Sequence, residues 1–171
     1  ASSTSIASAT PASCCGDELD DAAAMAEGGG AFHDTAAMAD DAFAGHVVLI
    51  TGAAGGFGRR LAARLAAAGA RLVLGDRNAA ALEQLASTLR ETTPDVVAKS
   101  CDVTREAEVE ALVAAAVSAF GRLDIAVNNA GATGEVKPLI DTTEADLDFA
   151  LAVNAKGVFF GVKHQIRQMR T

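Results

Sequence analysis

Four consecutive apolar residues, Val47-Val48-Leu49-Ile50, run directly into a glycine-rich stretch, Thr51-Gly52-Ala53-Ala54-Gly55-Gly56-Phe57-Gly58. No other feature of the 171-residue chain narrows its fold as much. An unbroken apolar run of this length suits a strand covered on both faces, which is the habit of parallel sheets. The residues after the glycines, Arg59 to Ala68, place Leu61 and Leu65 one helical turn apart, with Gly69 as a stop. A strand, a glycine turn and a helix therefore follow one another without a spacer.

The same alternation continues. Arg71-Leu72-Val73-Leu74 reads as a second strand ending at Gly75-Asp76, and Asn78 can cap a helix with Leu82, Leu85 and Leu89 on one face. Val96-Val97-Ala98 opens a third strand that ends at Cys101-Asp102. Thr104 is the expected cap of a helix whose Val109, Leu112, Val113, Ala116, Val117 and Phe120 form a full apolar stripe up to Gly121. Leu123 to Val127 is the fourth strand, running into Asn128-Asn129-Ala130-Gly131. After a loop containing Pro138, Thr142 or Thr143 starts a long helix carrying Leu147, Leu151, Asn154, Val158, Val162 and Ile166. Buried-type strands alternating with helices predict an α/β architecture. The expected fold is a Rossmann-type, doubly wound parallel sheet, truncated after the fourth strand and its following helix. Such a fold usually has six strands in two halves, and here the second half has only begun.

A glycine-rich turn between a strand and a helix has a chemical use. The helix N-terminus presents unpaired amide donors and a partial positive charge, which suit a diphosphate. Glycines let phosphate oxygens approach backbone that no Cβ shields. Thr51, Gly52, Gly56, Phe57 and Gly58 are the candidate turn residues. Asp76 ends the second strand, where a carboxylate can accept from both hydroxyls of an adenosine ribose and repel a 2′-phosphate. That favours NAD. Arg77, the next residue, could meet a 2′-phosphate, so NADP stays open as the less favoured cofactor.

With these residues in place, positions 46 to 171 resemble the N-terminal portion of a short-chain dehydrogenase/reductase of the compact single-domain subclass. The resemblance rests on Thr51-Gly52-x-x-x-Gly56-x-Gly58, on Cys101-Asp102-Val103-Thr104, on Asn128-Asn129-Ala130-Gly131 and on Val153-Asn154-Ala155-Lys156-Gly157. It implies an oxidoreductase that moves a hydride between a nicotinamide cofactor and a small-molecule alcohol or ketone. By the same resemblance Asp102 and Val103 flank the adenine, and Asn129, Ala130 and Gly131 line the path to the nicotinamide ribose. Asn154 is the implied catalytic residue, holding a water in a proton relay. Gly55 stands where many members carry Ser or Arg, a mild departure. The larger one is that the chain has no Tyr. The family's serine and its Tyr-x-x-x-Lys pair are missing, so the resemblance implies a catalytic parent protein and an inactive fragment. A dinucleotide-binding module without catalysis is the alternative. The long last helix implies a homo-oligomeric parent.

Other classes are disfavoured by charge. The net charge of −8 sits entirely in residues 1 to 44, which carry Asp17, Glu18, Asp20, Asp21, Glu27, Asp34, Asp40 and Asp41 and no Lys or Arg. The remainder is balanced and lacks a basic stripe, so no nucleic-acid partner is expected. No apolar run is long enough to span a bilayer, so no membrane partner is expected either. The tail, rich in Ala, Ser, Gly and Asp, reads as disordered or extraneous. It has neither the shape of a signal peptide nor that of a presequence, and Cys14, Cys15 and Cys101 make no disulfide framework. A cytoplasmic setting is the default. No His, Cys and carboxylate grouping has metal-ligand spacing. His164 reads as part of a solvated helix face, and Asn128 as a tie between neighbouring strands.

Overall fold

A computed structural model describes residues 42–170. Four parallel strands, β1 (Val47–Thr51), β2 (Arg71–Asp76), β3 (Val96–Ser100) and β4 (Ile125–Val127), form one sheet in the order β3-β2-β1-β4. The helices are α1 (Gly56–Ala67), α2 (Ala79–Arg90), α3 (Glu106–Phe120), α4 (Glu144–Leu151) and α5 (Gly157–Met169). A single π turn, Ala152–Lys156, joins α4 to α5, and a 3-10 turn, Leu139–Asp141, interrupts the long loop before α4.

Alternation along β1 divides the core in two. Val48 and Ile50 pack with Leu72, Leu74 and the apolar stripes of α1 and α2 on one face. Val47 and Leu49 pack with Val73 and with Val109, Leu112, Val113 and Ala116 of α3 on the other. All five β1 residues are buried, as an apolar run without polar alternation requires. The chain leaves β1 toward β2 on one side and later returns to β4 on the other. The carboxyl ends of β1 and β4 thus flank a switch point, the place where open α/β sheets put ligands.

Several local expectations hold in detail. Asn78 Oδ1 accepts from the Ala81 amide at 3.1 Å, capping α2. Gly121 ends α3 in a left-handed conformation. Thr143 rather than Thr142 caps α4, in a reciprocal capping box with Asp146.

Others are corrected. Thr104 does not cap α3: Arg105 is the first flanking residue, and the Thr104 hydroxyl donates instead to Asp102 Oδ1 at 2.8 Å. Strand β4 begins at Ile125, because the Asp124 carboxylate turns back to accept from the Val47 amide at 2.8 Å. The one long helix expected after Pro138 is two helices joined by the π turn, and of the apolar residues along it Leu147, Leu151, Val162 and Ile166 are exposed. Its inner side is lined by Val153, Gly157, Gly161, His164 and Gln165. His164 is therefore buried, not solvated; its Nε2 lies 3.1 Å from Glu106 Oε1 of α3. Most of the acidic tail lies outside the described residues, as do Cys14 and Cys15. Within 42–44, however, Phe43 packs on the core and its amide donates to the Ala68 carbonyl at 2.9 Å. Among the described residues no helix is long and apolar enough to cross a membrane, and no cluster of His, Cys, Asp or Glu could hold a metal ion.

Candidate nucleotide site

A cleft of about 540 Å³ opens at the switch point. Of the residues singled out in the sequence, Gly52, Gly56, Phe57, Gly58, Asp76, Arg77, Asp102, Val103, Asn129, Ala130 and Gly131 line it. Thr51 and Asn154 do not.

The floor is the turn after β1. Gly52 has φ +64, and a Cβ there would lie 2.8 Å from Ala130 Cα. A Cβ on Gly58 would overlap the Gly52 carbonyl and stand 2.8 Å from Ala53 Cα. Both glycines are therefore required by backbone approach, whereas a Cβ on Gly56 would meet nothing within 4 Å. Gly55 precedes α1 without a side-chain cap, and the first turn of α1 holds no acid. The leading amides of α1 have no intrahelical acceptor by the nature of a helix start. They border the cleft, which is a cradle for an anionic group.

Thr51 and the Asn129 side chain brace this floor. The Thr51 hydroxyl oxygen accepts from the Ala130 amide at 3.1 Å. Asn129 Nδ2 donates to the carbonyls of Thr51 and Gly52 at 2.9 and 3.0 Å. The Nδ2 of Asn129 is thus spent on the turn. Asn128 ties β4 not to a neighbouring strand but to α5, through Gln165.

Asp76 closes one side. Its Oδ2 accepts from the Ala54 amide and its Oδ1 from the Asn78 amide, each at 2.9 Å. The carboxylate joins the glycine turn to the start of α2 and still borders the cleft beside Arg77.

Asp102 closes the next. Its Oδ1 accepts from the Thr104 amide at 3.0 Å and from the Thr104 hydroxyl, and its own amide donates to Glu108 Oε2 at 2.8 Å. The Thr104 amide above all, and then the Thr104 hydroxyl and Arg105, hold the carboxyl below the ordinary aspartate range. A depressed folded-state pKa contributes stability above the unfolded value, and that contribution is lost as pH falls through the folded value. Thr104→Val removes the hydroxyl and keeps the amide. The Asp102 titration, followed by carbon NMR, is expected to move part of the way back toward that of a free aspartate; an unmoved titration would remove the hydroxyl from this account.

Gly55, Cys101, Thr104 and Val153, which belong to the stretches that carry the resemblance, line the cleft too, as do Ala132, Phe149 and Ala152, which the sequence does not single out. Phe149, Ala152 and Val153 share one helical side by their spacing, a signal that was available. Ala132 lies in a loop with no periodicity to read. Burial, then Glu108 and Asp102, push the Cys101 thiol up to about 11, so it is neutral and unreactive near pH 7.

Asn154 sits in the π turn, just outside the cleft. Its Oδ1 accepts from the Ala132 amide at 3.0 Å and its Nδ2 donates to the Ala132 carbonyl at 2.7 Å. Both ends of the side chain are thus committed to the loop that follows Asn128-Asn129-Ala130-Gly131.

Comparison with known proteins gives the family and the fold. The short chain dehydrogenase family matches residues 46–171. A levodione reductase of Leifsonia aquatica is 43% identical over 130 residues, covering 75% of this chain and 49% of its own length. A short chain dehydrogenase/reductase from Burkholderia phymatum, solved in complex with NAD, superposes with a TM-score of 0.71 at 38% identity, over 77% of this chain and 46% of that one. A 3-ketoacyl-(acyl-carrier-protein) reductase from Brucella melitensis, solved with NADH, gives a TM-score of 0.69 at 37% identity, over 73% of this chain and 50% of that one. The chain spans about half the length of the curated relatives it matches. A parallel sheet with a glycine floor at its switch point, matched over residues 46–171, places the chain in the short chain dehydrogenase family.

Proposed function

We propose that residues 46–171 bind a nicotinamide adenine dinucleotide, NAD in preference to NADP, as the cofactor portion of an oxidoreductase acting on a small alcohol or ketone. The observation that carries this reading is the pairing of an uncapped helix start with Asp76 across one cleft. The α1 amides suit the diphosphate, and Gly52, Gly56 and Gly58 leave room for its oxygens. Asp76 suits the adenosine ribose, with Arg77 beside it. Asp102 and Val103 flank the adenine end, and Asn129, Ala130 and Gly131 the nicotinamide ribose. When bound, such a cofactor supplies hydride chemistry at the nicotinamide ring. This chain's own residues orient it and keep water from one face, Phe149, Ala152 and Val153 forming an apolar wall.

For the whole protein Asn154 is proposed as the catalytic residue that holds a water in the proton relay, and its bonds to Ala132 also hold that loop. With no tyrosine among the 171 residues, no phenolic proton donor is present in them. Catalysis is therefore proposed for the whole protein, and nucleotide binding for this chain. We assign the whole protein to the cytoplasm and expect it to self-associate. The apolar outer side of α5 (Phe159, Val162, Ile166 and Met169) supports the second point. The balanced charge of the body supports neither a nucleic acid nor a membrane as partner.

Titration of the chain with NADH and NADPH tests the reading. The absence of Trp and Tyr leaves the nicotinamide fluorescence free of protein background. NADH is expected to bind at least about tenfold more tightly than NADPH, a difference of about 1.4 kcal/mol. The same sample should oxidise no NADH when given a panel of ketones. Fluorescence and calorimetry both silent with either cofactor would end the proposal.

A further inference from the structure

Helix α5 packs against α3 through an unusual surface. Its inner side offers glycines and two buried polar residues, His164 and Gln165, with Phe160 on the core, while Phe159, Val162, Ile166 and Met169 face outward. His164 pairs with Glu106 of α3, as does Lys163. Gln165, 3% exposed, has a different mate. Its Nε2 donates to Asn128 Oδ1 at 2.8 Å, and its Oε1 accepts from Asn128 Nδ2 at 2.9 Å. Two side-chain amides thus form a closed reciprocal pair. Gly161 lies directly over it, and a Cβ there would overlap Asn128 Oδ1.

Asn128 and Asn129 are neighbours at the carboxyl end of β4 and face opposite tasks. Asn128 grips α5, and Asn129 grips the Thr51 and Gly52 carbonyls of the glycine turn. Along α5, Gln165 is followed back through Gly161 and Gly157 to the π turn with Asn154, about 16 Å away at helical rise. Asn154 in turn clamps Ala132, which lines the cleft. The Asn128–Gln165 pair is thus the point at which the helix bearing Asn154 is held in register with the strand end that braces the cofactor floor. An apolar contact there could slide by a fraction of a turn. A reciprocal amide pair has one geometry, which is the best attested use of a buried polar pair.

We propose that Gln165 is a positioning residue for the nicotinamide half of the cleft, acting through Asn128 to fix α5 and hence the Asn154–Ala132 clamp. The proposal rests on the nucleotide reading for its binding consequence, but the clamp itself can be followed without ligand.

Two variants of the full chain test it: Gln165→Met, and Gln165→Met combined with Asn128→Leu. The single variant leaves a half-buried amide without its mate, so a lower melting temperature is expected. The double variant removes both polar partners, and its melting temperature should return toward that of the parent. Register is not restored by that exchange. In both variants NADH affinity is expected to fall about tenfold, within the range of couplings carried by packed networks, while ADP, which lacks the nicotinamide half, binds within about twofold of the parent. Amide exchange at Ala132 is expected to quicken about tenfold in both, with no ligand present. A double variant that recovers NADH affinity and Ala132 protection along with its melting temperature would make Gln165 merely structural. Equal losses for ADP and NADH would overturn the proposal as well. A parent chain that binds neither nucleotide would remove the cofactor reading, and Ala132 exchange would still decide the coupling.

Discussion

Gly52→Ala is expected to lower the stability of the chain by about 3 kcal/mol and to take NADH binding below detection. Two costs add at this position. A side chain in the left-handed region costs about 1–2 kcal/mol, and Gly52 sits there at φ +64. A new methyl in a packed place costs a further 1–3 kcal/mol or so, and this one would stand 2.8 Å from Ala130 Cα, 3.0 Å from its nitrogen and 3.1 Å from Asn129 Nδ2. None of those atoms is free to give way. The Ala130 amide donates to Thr51, and Asn129 spans the Thr51 and Gly52 carbonyls. Relief must come from the turn itself, which would swing away from β4 and misalign the first amides of α1. Gly56→Ala is the matched control. Its Cβ meets nothing within 4 Å, and alanine is the better helix former, so stability should hold or rise by a few tenths of a kcal/mol. That methyl would stand in the cleft, so NADH should still bind more weakly. Thermal melting by circular dichroism and calorimetric titration of both variants read these effects. A Gly52→Ala chain that melts with the parent would show that the turn is not held as described.

The contrast between these glycines marks how far sequence alone reaches. Apolar periodicity reports which residues leave water: Val47 to Ile50, Leu72 to Leu74 and, of the stripe up to Phe120, Val109, Leu112, Val113 and Ala116 are buried, with Val117 and Phe120 half-buried. Local capping chemistry is equally readable, because Asn78 and Thr143 bond to amides three residues on. Side-chain amides that bond across the fold leave no periodic trace. Nothing near Asn129 in the chain reveals that its partners are Thr51 and Gly52, nor does anything near Asn154 point to Ala132. Asn128 and Gln165 are 37 positions apart. The burial of His164 is hidden from the sequence for the same reason. On a wheel it falls among Lys163 and Arg167, and only the approach of α3 with Glu106 makes its side the inner one. The outward turn of Val162 and Ile166 has a related origin. Leu147 and Leu151, before the π turn, are exposed as well; the inner side is the one where Gly157 and Gly161 admit the close approach of Val103 and Asn128. Thr104 carried a cap-like pattern, yet Asp102 two residues earlier competed for its hydroxyl and won.

Asp76→Ala is expected to weaken NADH by about 30-fold, roughly 2 kcal/mol, and to change NADPH by less than about threefold. The argument turns on separating two functions of one carboxylate. Asp76 accepts from the Ala54 and Asn78 amides, so its loss loosens the glycine turn and the start of α2 for any ligand. That part of the effect falls on both cofactors alike. The rest is selective. A charged acceptor facing two ribose hydroxyls stabilises NADH, whereas the same charge repels the 2′-phosphate of NADPH. For NADPH the loosened turn is therefore offset by removal of the repulsion, and Arg77 remains beside the vacated position to meet the phosphate. Asp76→Ala with Arg77→Ala isolates that last contribution: NADH affinity should stay where the single variant left it, and NADPH affinity should drop. Asp76→Asn keeps a side-chain oxygen for one of the two amides while discarding the charge, so its melting temperature should lie closer to the parent than that of Asp76→Ala. Its preference for NADH should still shrink. If instead every variant lost NADH and NADPH in equal proportion, Asp76 would be a fastening of the turn alone, and the choice between the two cofactors would have to be made elsewhere in the cleft.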